Sequence, residues 1–319
     1  MASIIPCRCL QAVRRAGDQR VKAVPPGHWL KPVAHVLLLY SASTAYAQVP
    51  DVSIKLNLYG SYLSEQPGRT TVRLYDALGH LSTVGLRVRT DLGFQAFVAQ
   101  KLQLIPHGGD SDQLDEYYVE SPGNWIIGKQ YLPFGQGALI HESALAVRSS
   151  AYITQLELPV TFAACDAGPG RQVGVIGRVG DHFGVSGAFG QHFGISGTSL
   201  ALIRPPTQAA DVGHGFDDVY GIDYSSQQDE WSFRVEGLLL RGPETPSDKS
   251  DVVADLAVHY DPSAQRGYEV GVTHSARERA DFVRIQGFIK PYTKLSIEPM
   301  VRFRNAQLLD VSVVLHVKL

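Results

Sequence analysis

The sequence is poor in charged residues and in cysteine, and it has no long apolar run beyond its N-terminal region. Charged residues make up 19% of the 319 residues, below the roughly 25% of a soluble domain. Of the three cysteines, Cys7 and Cys9 are too closely spaced for a zinc half-site, and Cys165 stands alone. No apolar stretch after Gln48 reaches the about 20 residues that a spanning helix needs, so helical membrane spans are not expected.

Catalytic and metal-binding motifs are lacking as well. The sequence has no H-E-x-x-H, dinucleotide fingerprint or G-x-S-x-G elbow. The segment 123–130 approaches a phosphate-binding loop, but Gln130 stands where Ser or Thr must hold Mg²⁺. The segments 182–187 and 192–197 repeat one pattern, either as a metal-binding His pair or as two similar strand beginnings, and no nearby cluster completes a site. We therefore expect no enzyme, no metal and no cofactor.

The charge of the chain is unevenly distributed. Residues 1–47 hold six of the 29 basic side chains and one of the 31 acidic ones. The remainder carries 23 basic and 30 acidic side chains, a formal balance of −7. An acidic body argues against nucleic acid as a partner, because phosphate binding requires a basic surface.

The N-terminal region has the pattern of an export signal. A basic stretch ends at Pro32, the apolar core 33–40 follows, and Ala45-Tyr46-Ala47 precedes Gln48. A basic region, a short apolar core and an A-x-A ending are typical of a secretory signal. The alternative is a buried N-terminal helix. We expect a signal peptide at 1–47, cleaved after Ala47, and a β-barrel at 48–319.

The body of the chain is rich in glycine and aromatics, with 31 Gly, 14 Tyr and 12 Phe. Apolar and polar residues alternate with period two over 52–59, 84–89 and 311–319. One apolar and one polar face per strand suits a barrel with lipid outside and water inside. A soluble β-sandwich gives the same alternation with its faces reversed.

Strand spacing favours the barrel. The sequence predicts sixteen strands, at 51–62, 81–91, 94–104, 114–121, 124–131, 149–160, 171–181, 183–190, 193–204, 215–225, 230–240, 251–260, 266–275, 280–290, 293–303 and 307–319. Most have the about 9–11 residues that a tilted strand needs to cross a bilayer. Short connections tend to alternate with longer ones, such as 63–80, 105–113 and 132–148. This asymmetry is typical of outer-membrane barrels, although 161–170 is long where a turn is expected.

Three stretches resemble the general porins of Gram-negative outer membranes. Residues 81–93 resemble the family's strand, tight turn and strand near the N-terminus. Residues 118–131, with Gly128 and Lys129, are similar to the strand before the third loop, and 148–152 to the strand start after it. The motif 131–135 is also similar to phosphate-selective porins, a related barrel type. These motifs cover only part of the mature chain.

The resemblance implies an all-β, transmembrane antiparallel barrel of about sixteen strands, assembled as a trimer in the outer membrane. The mature chain is short for sixteen strands, so fourteen is also possible. The third loop, carried over to 132–148, would fold inward and narrow the pore. Charged side chains there would create a transverse field that sorts solutes by size and charge.

The resemblance also implies a set of pore-constriction residues. Glu142 is the only carboxylate of 132–148 and takes the acidic role. Lys129 and Arg148 match the family's basic wall positions. Arg87 and Arg89 share the polar face of their strand, and Lys55 lies on the first strand. For each residue the alternative is an ordinary solvated lumen or loop charge.

This chain departs from the family at two positions. Thr83 stands where a basic residue is usual, and Leu319 ends the chain where an aromatic is usual. The expected function is passive diffusion of small hydrophilic solutes or ions through an outer-membrane channel. The alternative is a non-conducting outer-membrane barrel that serves as an adhesin or structural anchor.

Overall fold

A computed structural model describes residues 50–66, 69–76, 78–103, 113–141, 143–166, 173–193, 202–203, 216–241 and 251–319. These residues belong to one compact unit, Pro50–Leu319. The predicted signal peptide at 1–47 and its cleavage point lie outside the described residues.

The described residues form β-strands joined by turns and loops. The strands are β1 (Asp51–Gln66), β2 (Arg69–Arg73), β3 (Thr83–Arg89), β4 (Gln95–Lys101), β5 (Leu114–Glu120), β6 (Trp125–Tyr131), β7 (Ser143–Ile153), β8 (Leu158–Asp166), β9 (Val173–Gly180), β10 (Phe183–Phe193), β11 (Phe216–Gln228), β12 (Trp231–Arg241), β13 (Asp251–Ser263), β14 (Arg266–Ser275), β15 (Ala280–Tyr292), β16 (Leu295–Arg304) and β17 (Gln307–Lys318). Among the described residues, no helix is long and apolar enough to cross a membrane.

The strands close into a single antiparallel barrel. Apart from β2 and β3, which both pair with β1, each strand pairs with its neighbour in sequence. β17 pairs back onto β1, with Leu58 opposite Val317 and Tyr62 opposite Val313. β2 and β3 share one place in the wall, because β2 pairs with the second half of β1 and β3 with the first half. The seventeen strands therefore fill sixteen places, which confirms the predicted all-β barrel of sixteen strands rather than fourteen.

The two faces of the barrel differ in chemistry, as the period-two alternation predicts. Directly opposite residues of an antiparallel pair lie on the same face, so the register assigns every side chain to one face. One face exposes large apolar side chains such as Ile54, Ile127 and Val270. The other carries charged side chains such as Asp255, Arg284 and Arg302. A continuous exposed apolar face suits lipid, so the charged face is the inner one.

The two ends of the barrel differ in the length of their connections. Short turns lie at the end that carries both chain termini: 90–94, 121–124, 154–157, 181–182, 229–230, 264–265 and 293–294. At the opposite end most connections are longer, over 102–113, 132–142, 167–172, 194–215 and 242–250, whereas the described turns at 276–279 and 305–306 are short. This is the asymmetry that the sequence indicates.

Two predicted boundaries are wrong, and a third prediction falls mostly outside the described residues. The strand predicted at 149–160 is two strands, β7 and β8, joined by a turn in which Leu156 N donates to Ile153 O and Glu157 has φ 53°. Non-glycine residues seldom adopt this left-handed conformation, and no Gly or Asn signals the turn. The strand predicted at 193–204 falls mostly outside the described residues, and Leu202 and Ile203 lie in a turn. The loop predicted at 63–80 instead contains the end of β1 and all of β2.

Candidate pore constriction

The segment between β6 and β7 lies inside the barrel. We call residues 132–141 the constriction segment. Its backbone and side chains reach the inner wall at three places: Gly135 N donates to Ser186 Oγ (2.9 Å), Gln136 Nε2 to Asp223 Oδ1 (2.7 Å) and Ala138 N to Glu236 Oε2 (3.0 Å). These acceptors lie on β10, β11 and β12, so the segment crosses the inner face from β6 to strands four to six places away. β7 begins at Ser143, so the segment is shorter than the predicted 132–148.

Apolar contacts hold the constriction segment against the wall. Phe134 is 3% exposed and Leu139 is fully buried. The Phe134 ring lies so close to Gly221 that a Cβ there would be 2.7 Å from it. These side chains join inward-facing residues of β7 to β13 in one buried cluster, which also contains Leu202 and Ile203. At about 25 cal/mol per Å² of buried apolar surface, two such side chains alone stabilise the docked segment by several kcal/mol.

Two buried carboxylates provide the polar anchors. Asp223 accepts from both Arg178 Nε (3.0 Å) and Arg178 Nη2 (2.6 Å), a bidentate pair, in addition to Gln136. Arg178 also donates to the carbonyl oxygens of Gly180 and Asp181, so its guanidinium is held in place by its own turn. A bidentate guanidinium–carboxylate pair fixes the position of both groups. The wall therefore presents Gln136 with a pre-positioned acceptor.

Three of the predicted basic residues lie together on the inner face. Lys55 on β1 lies opposite Gly85, and Arg87 on β3 lies opposite Phe97 on β4. Lys55 Nζ and Arg87 Cζ are 5.7 Å and 5.4 Å from the centroid of the Phe97 ring, within cation–π range. Arg89 lies nearer the terminal end, where its Nη2 donates to Gln95 Oε1 (3.2 Å). The structure thus brings Lys55, Arg87 and Arg89 to one part of the inner wall.

The other three predicted residues are not part of this group. Arg148 lies on the inner face opposite Ile126, and its Nη1 donates to Tyr131 O (3.2 Å), where the constriction segment begins. Lys129 shares its face of β6 with Trp125 and Ile127, which are exposed on the outer side, and its Nζ donates to Leu114 O (2.8 Å). The strand alternation therefore points Lys129 away from the inner face. Glu142 lies outside the described residues.

Sequence reasoning missed the groups on the far wall that hold the segment. Asp223 and Glu236 each stand among apolar residues, in strands that otherwise supply an apolar outer face. Their parity places them on the inner face, opposite one another in the β11–β12 ladder. That parity was the available signal, but the partners Gln136 of Asp223 and Ala138 of Glu236 are 87 and 98 positions away, so only the fold reveals these contacts.

A second stretch of chain also enters the barrel. Residues 74–82, between β2 and β3, leave the wall, and their Leu78 packs against the buried cluster beneath the constriction segment. We call this stretch the inward hairpin; its Ala77 is outside the described residues. No group of three or more metal-ligating side chains is assembled within the part of the chain that the structure describes.

The arrangement resembles that of known outer-membrane barrels. No protein-family model matches the sequence, and no curated protein matches it either. OmpT, an outer-membrane protein of Vibrio cholerae solved in a trimer form, superimposes with a TM-score of 0.54 at 10% identity over 85% of this chain and 100% of that one. OmpF of Salmonella typhi, in complex with daunomycin, gives 0.55 at 9% identity over 85% and 98%.

An anion-selective porin from Comamonas acidovorans gives a TM-score of 0.55 at 10% identity over 84% of this chain and 99% of the porin. At such identities the likeness concerns the fold. The chain therefore has the closed sixteen-stranded fold of the general porins.

Proposed function

We propose that the protein is a passive diffusion channel for small hydrophilic solutes or ions in the outer membrane. The observation that carries the proposal is the constriction segment, which is bound to one side of the inner wall. Lys55, Arg87 and Arg89 remain on a different part of that wall. Residues 1–47 would direct export and be removed. The channel needs no catalytic residue, metal or cofactor.

The proposed filter is electrostatic. Positive side chains on one part of a narrowed, low-dielectric lumen create a local potential that raises the concentration of anions. Lys55 and Arg89 are exposed and Arg87 is half-buried, so these charges face the solvent inside the barrel. Arg148 would hold the start of the constriction segment rather than line the passage. Lys129 is left out of the proposed filter because its strand face is the outer one.

The proposed assembly is a homotrimer surrounded by lipid. The OmpT structure from Vibrio cholerae is described as a trimer form, and the exposed apolar face of this barrel would meet both lipid and neighbouring subunits. Chemical cross-linking of the protein in native outer membranes should give a ladder that ends at three subunits. A single band at the monomer mass would contradict the trimer and leave the channel proposal unaffected.

Planar-bilayer recording tests the proposed channel. We expect purified, folded protein to insert in discrete conductance steps. Replacing Lys55 and Arg87 together by Gln should shift the reversal potential in a salt gradient toward cations, because two lumen charges are lost. Lys294→Gln, in the exposed turn between β15 and β16, removes the same kind of charge outside the lumen and should change nothing. The absence of conductance steps from folded protein would reject the channel.

One observation favours a second candidate, the non-conducting barrel. Phe134, Leu139, Leu202 and Ile203 gather in an apolar cluster on the inner side, and Leu78 of the inward hairpin packs against it. Two inserted stretches that share one cluster leave less of the lumen open than a single inward loop would. Folded protein that inserts into bilayers without conducting, and binds to host surfaces or cell-wall material, would support this alternative.

A further inference from the structure

The inward hairpin leaves the wall at a gap between two ladders of β1. The β1–β3 ladder ends at Asn57 opposite Thr83, and the β1–β2 ladder begins at Ser61 opposite Arg73. Serine side chains replace the missing ladder bonds. Tyr59 N donates to Ser82 Oγ (2.8 Å), Ser82 Oγ donates to Tyr59 O (3.2 Å), and Ser61 Oγ donates to Tyr75 O. Because a buried backbone group without a partner is costly, these bonds allow the wall to open without destabilising β1.

Hydrogen bonds to the Asp76 side chain hold the hairpin together. Asp76 Oδ1 accepts from the N–H groups of Leu78 (2.9 Å) and His80 (2.8 Å), and Oδ2 lies 2.6 Å from His80 Nδ1. Tyr75 pairs with Leu81 in an isolated bridge at the base. An Asp side chain that accepts backbone N–H groups two and four residues on is a standard way to hold a tight turn. The hairpin therefore has one defined shape.

The hairpin crosses part of the lumen. Leu78 packs against Met300 on β16, a buried residue whose strand face also carries Glu298 and Arg302. Reaching β16 from the second wall position means passing over β1 and β17. Leu78 also packs against the cluster beneath the constriction segment. The two inserted stretches therefore approach one another from different sides of the inner wall.

His80 stands where the hairpin faces the remaining space. Its ring stacks on Tyr59 (5.7 Å, 21°), and Tyr59 stacks in turn on His316 of β17 (4.2 Å, 15°). The His80 side chain is half exposed, whereas Asp76 is 4% exposed behind it. The charged and titratable groups that it meets from other elements are Glu298 on β16 and Arg234 on β12, with His141 of the constriction segment.

The charges around His80 favour its protonated form. Asp76 raises the pKa of His80, and burial opposes this shift. Burial lowers the pKa of His141 to about 4, and the charge of His80 adds to this shift. The surroundings thus favour protonation of His80 on the hairpin and disfavour protonation of His141 in the constriction segment.

We propose that residues 74–82 are a second constriction element, which narrows the lumen opposite the constriction segment, and that His80 on it is a specificity-determining residue. This inference rests on the proposed channel function. It predicts a passage bounded on two sides by inserted chain, rather than by one inward loop and the barrel wall. Solutes of negative charge would meet His80 where the hairpin enters the lumen.

Cysteine modification in the folded, full protein tests the proposal. His80→Cys is made in a Cys165→Ala background, since Cys165 is the free cysteine among the described residues. A trimethylammonium thiosulfonate reagent should add its mass to Cys at 80 and lower the single-channel conductance. The matched control is Ile54→Cys, on the outer face, where modification should leave the conductance unchanged. The Cys165→Ala parent controls for reaction elsewhere.

Two results would overturn the proposal for a conducting protein. One is a cysteine at 80 that gains the reagent mass while the conductance stays the same. The other is a cysteine at 80 that the reagent cannot reach. His80→Gln gives an independent readout, because Gln cannot carry the positive charge that Asp76 favours on His80, so the reversal potential should move toward cations.

A deletion separates this proposal from the proposed function. Removing the six residues 76–81, so that β2 and β3 continue as one strand in the same register against β1, should raise the single-channel conductance above that of the parent. If the parent does not conduct and the deletion variant does, the channel proposal fails and the hairpin is the element that closes the lumen. If neither conducts although both fold, as judged by heat-dependent gel mobility, both proposals fail.

Discussion

Two glycines of the constriction segment adopt the same backbone conformation in different surroundings. Gly135 has φ 52° and Gly137 has φ 74°, both in the left-handed region. A Cβ at 135 would lie 2.2 Å from Glu236 Oε1, inside any allowed contact. A Cβ at 137 would meet nothing closer than His141 Nδ1 at 3.5 Å, an ordinary contact. Replacing each by alanine therefore separates backbone strain from displacement of the Glu236 carboxylate.

The two substitutions should differ by more than tenfold in the population of the undocked constriction segment. Left-handed strain costs about 1–2 kcal/mol at either position. Gly135→Ala also forces the fully buried Glu236 side chain to move, which breaks its hydrogen bond from Ala138 N. A bond to a charged acceptor contributes about 1.5–3 kcal/mol. We expect docking of the constriction segment to weaken by about 3–5 kcal/mol in Gly135→Ala and by about 1–2 kcal/mol in Gly137→Ala.

Proteolysis measures this difference. Phe134 and Leu139 are chymotrypsin sites that are buried while the segment is docked. When opening is fast compared with cleavage, the rate follows the population of the open form. At about tenfold per 1.4 kcal/mol, cleavage should rise roughly 10²-fold to 4,000-fold in Gly135→Ala and about tenfold in Gly137→Ala. Equal rates in the two variants would refute the role of the Glu236 contact.

Three further predictions concern charge. Arg302→Gln leaves Asp310 buried without its guanidinium and should lower the free energy of unfolding in urea by about 3–5 kcal/mol, whereas Arg302→Met with Asp310→Leu should lower it less. The depressed pKa of His141 means that the undocked segment binds a proton between pH 6.5 and about 4 while the docked one does not. Acidification over this window should therefore weaken docking, by at most about 3 kcal/mol. Chymotrypsin cleavage should speed up relative to cleavage of a small peptide substrate at the same pH, and His141→Gln should abolish the effect. Glu142→Gln should shift the reversal potential toward anions, because it removes the only carboxylate of 132–148; an unchanged potential would remove Glu142 from the constriction.

Strands with clean alternation were predictable almost to the residue. The last five predicted strands, from 251–260 to 307–319, differ from β13 to β17 by three residues or fewer at each end. Their polar and apolar faces are separated by parity, and their turns are short. The hairpin of β7 and β8 was missed because apolar residues continue through its turn and Glu157 supplies the positive φ without a glycine. At this turn the local sequence has no turn-forming residue that would interrupt the predicted strand.

The candidate site was predictable only where the prediction used strand parity. Lys55, Arg87 and Arg89 were chosen from the polar face of alternating strands, and the register puts them on the inner face. Lys129 was carried over by its position before the third loop. The same alternation, applied to Trp125 and Ile127, assigns Lys129 to the outer face. Positional resemblance at low identity is therefore a weaker guide to a lumen residue than parity within the strand itself.

The part of the inner wall that the constriction segment covers is apolar, which strand alternation alone does not explain. Leu238, Leu239 and Leu240 follow one another on β12, and Val252 and Val253 on β13. By parity Leu238, Leu240 and Val253 face inward, and all three are buried. A strand wetted on one side would carry polar residues there, so an apolar inner face requires a cover. The constriction segment, with Phe134 and Leu139, provides that cover.

The same reasoning links the apolar inner wall to function. Undocking the constriction segment would expose the buried inner residues of β12 and β13 to water, in addition to its own Phe134 and Leu139. At about 25 cal/mol per Å², this opposes large movements of the segment far more strongly than its three hydrogen bonds to the wall do. The constriction segment is thus a fixed part of the barrel, and in the proposed channel solute selection would come from the side chains that line the remaining passage. A break in alternation on the inner face of a barrel strand therefore predicts where inserted chain will dock, even when the sequence does not reveal which segment it is.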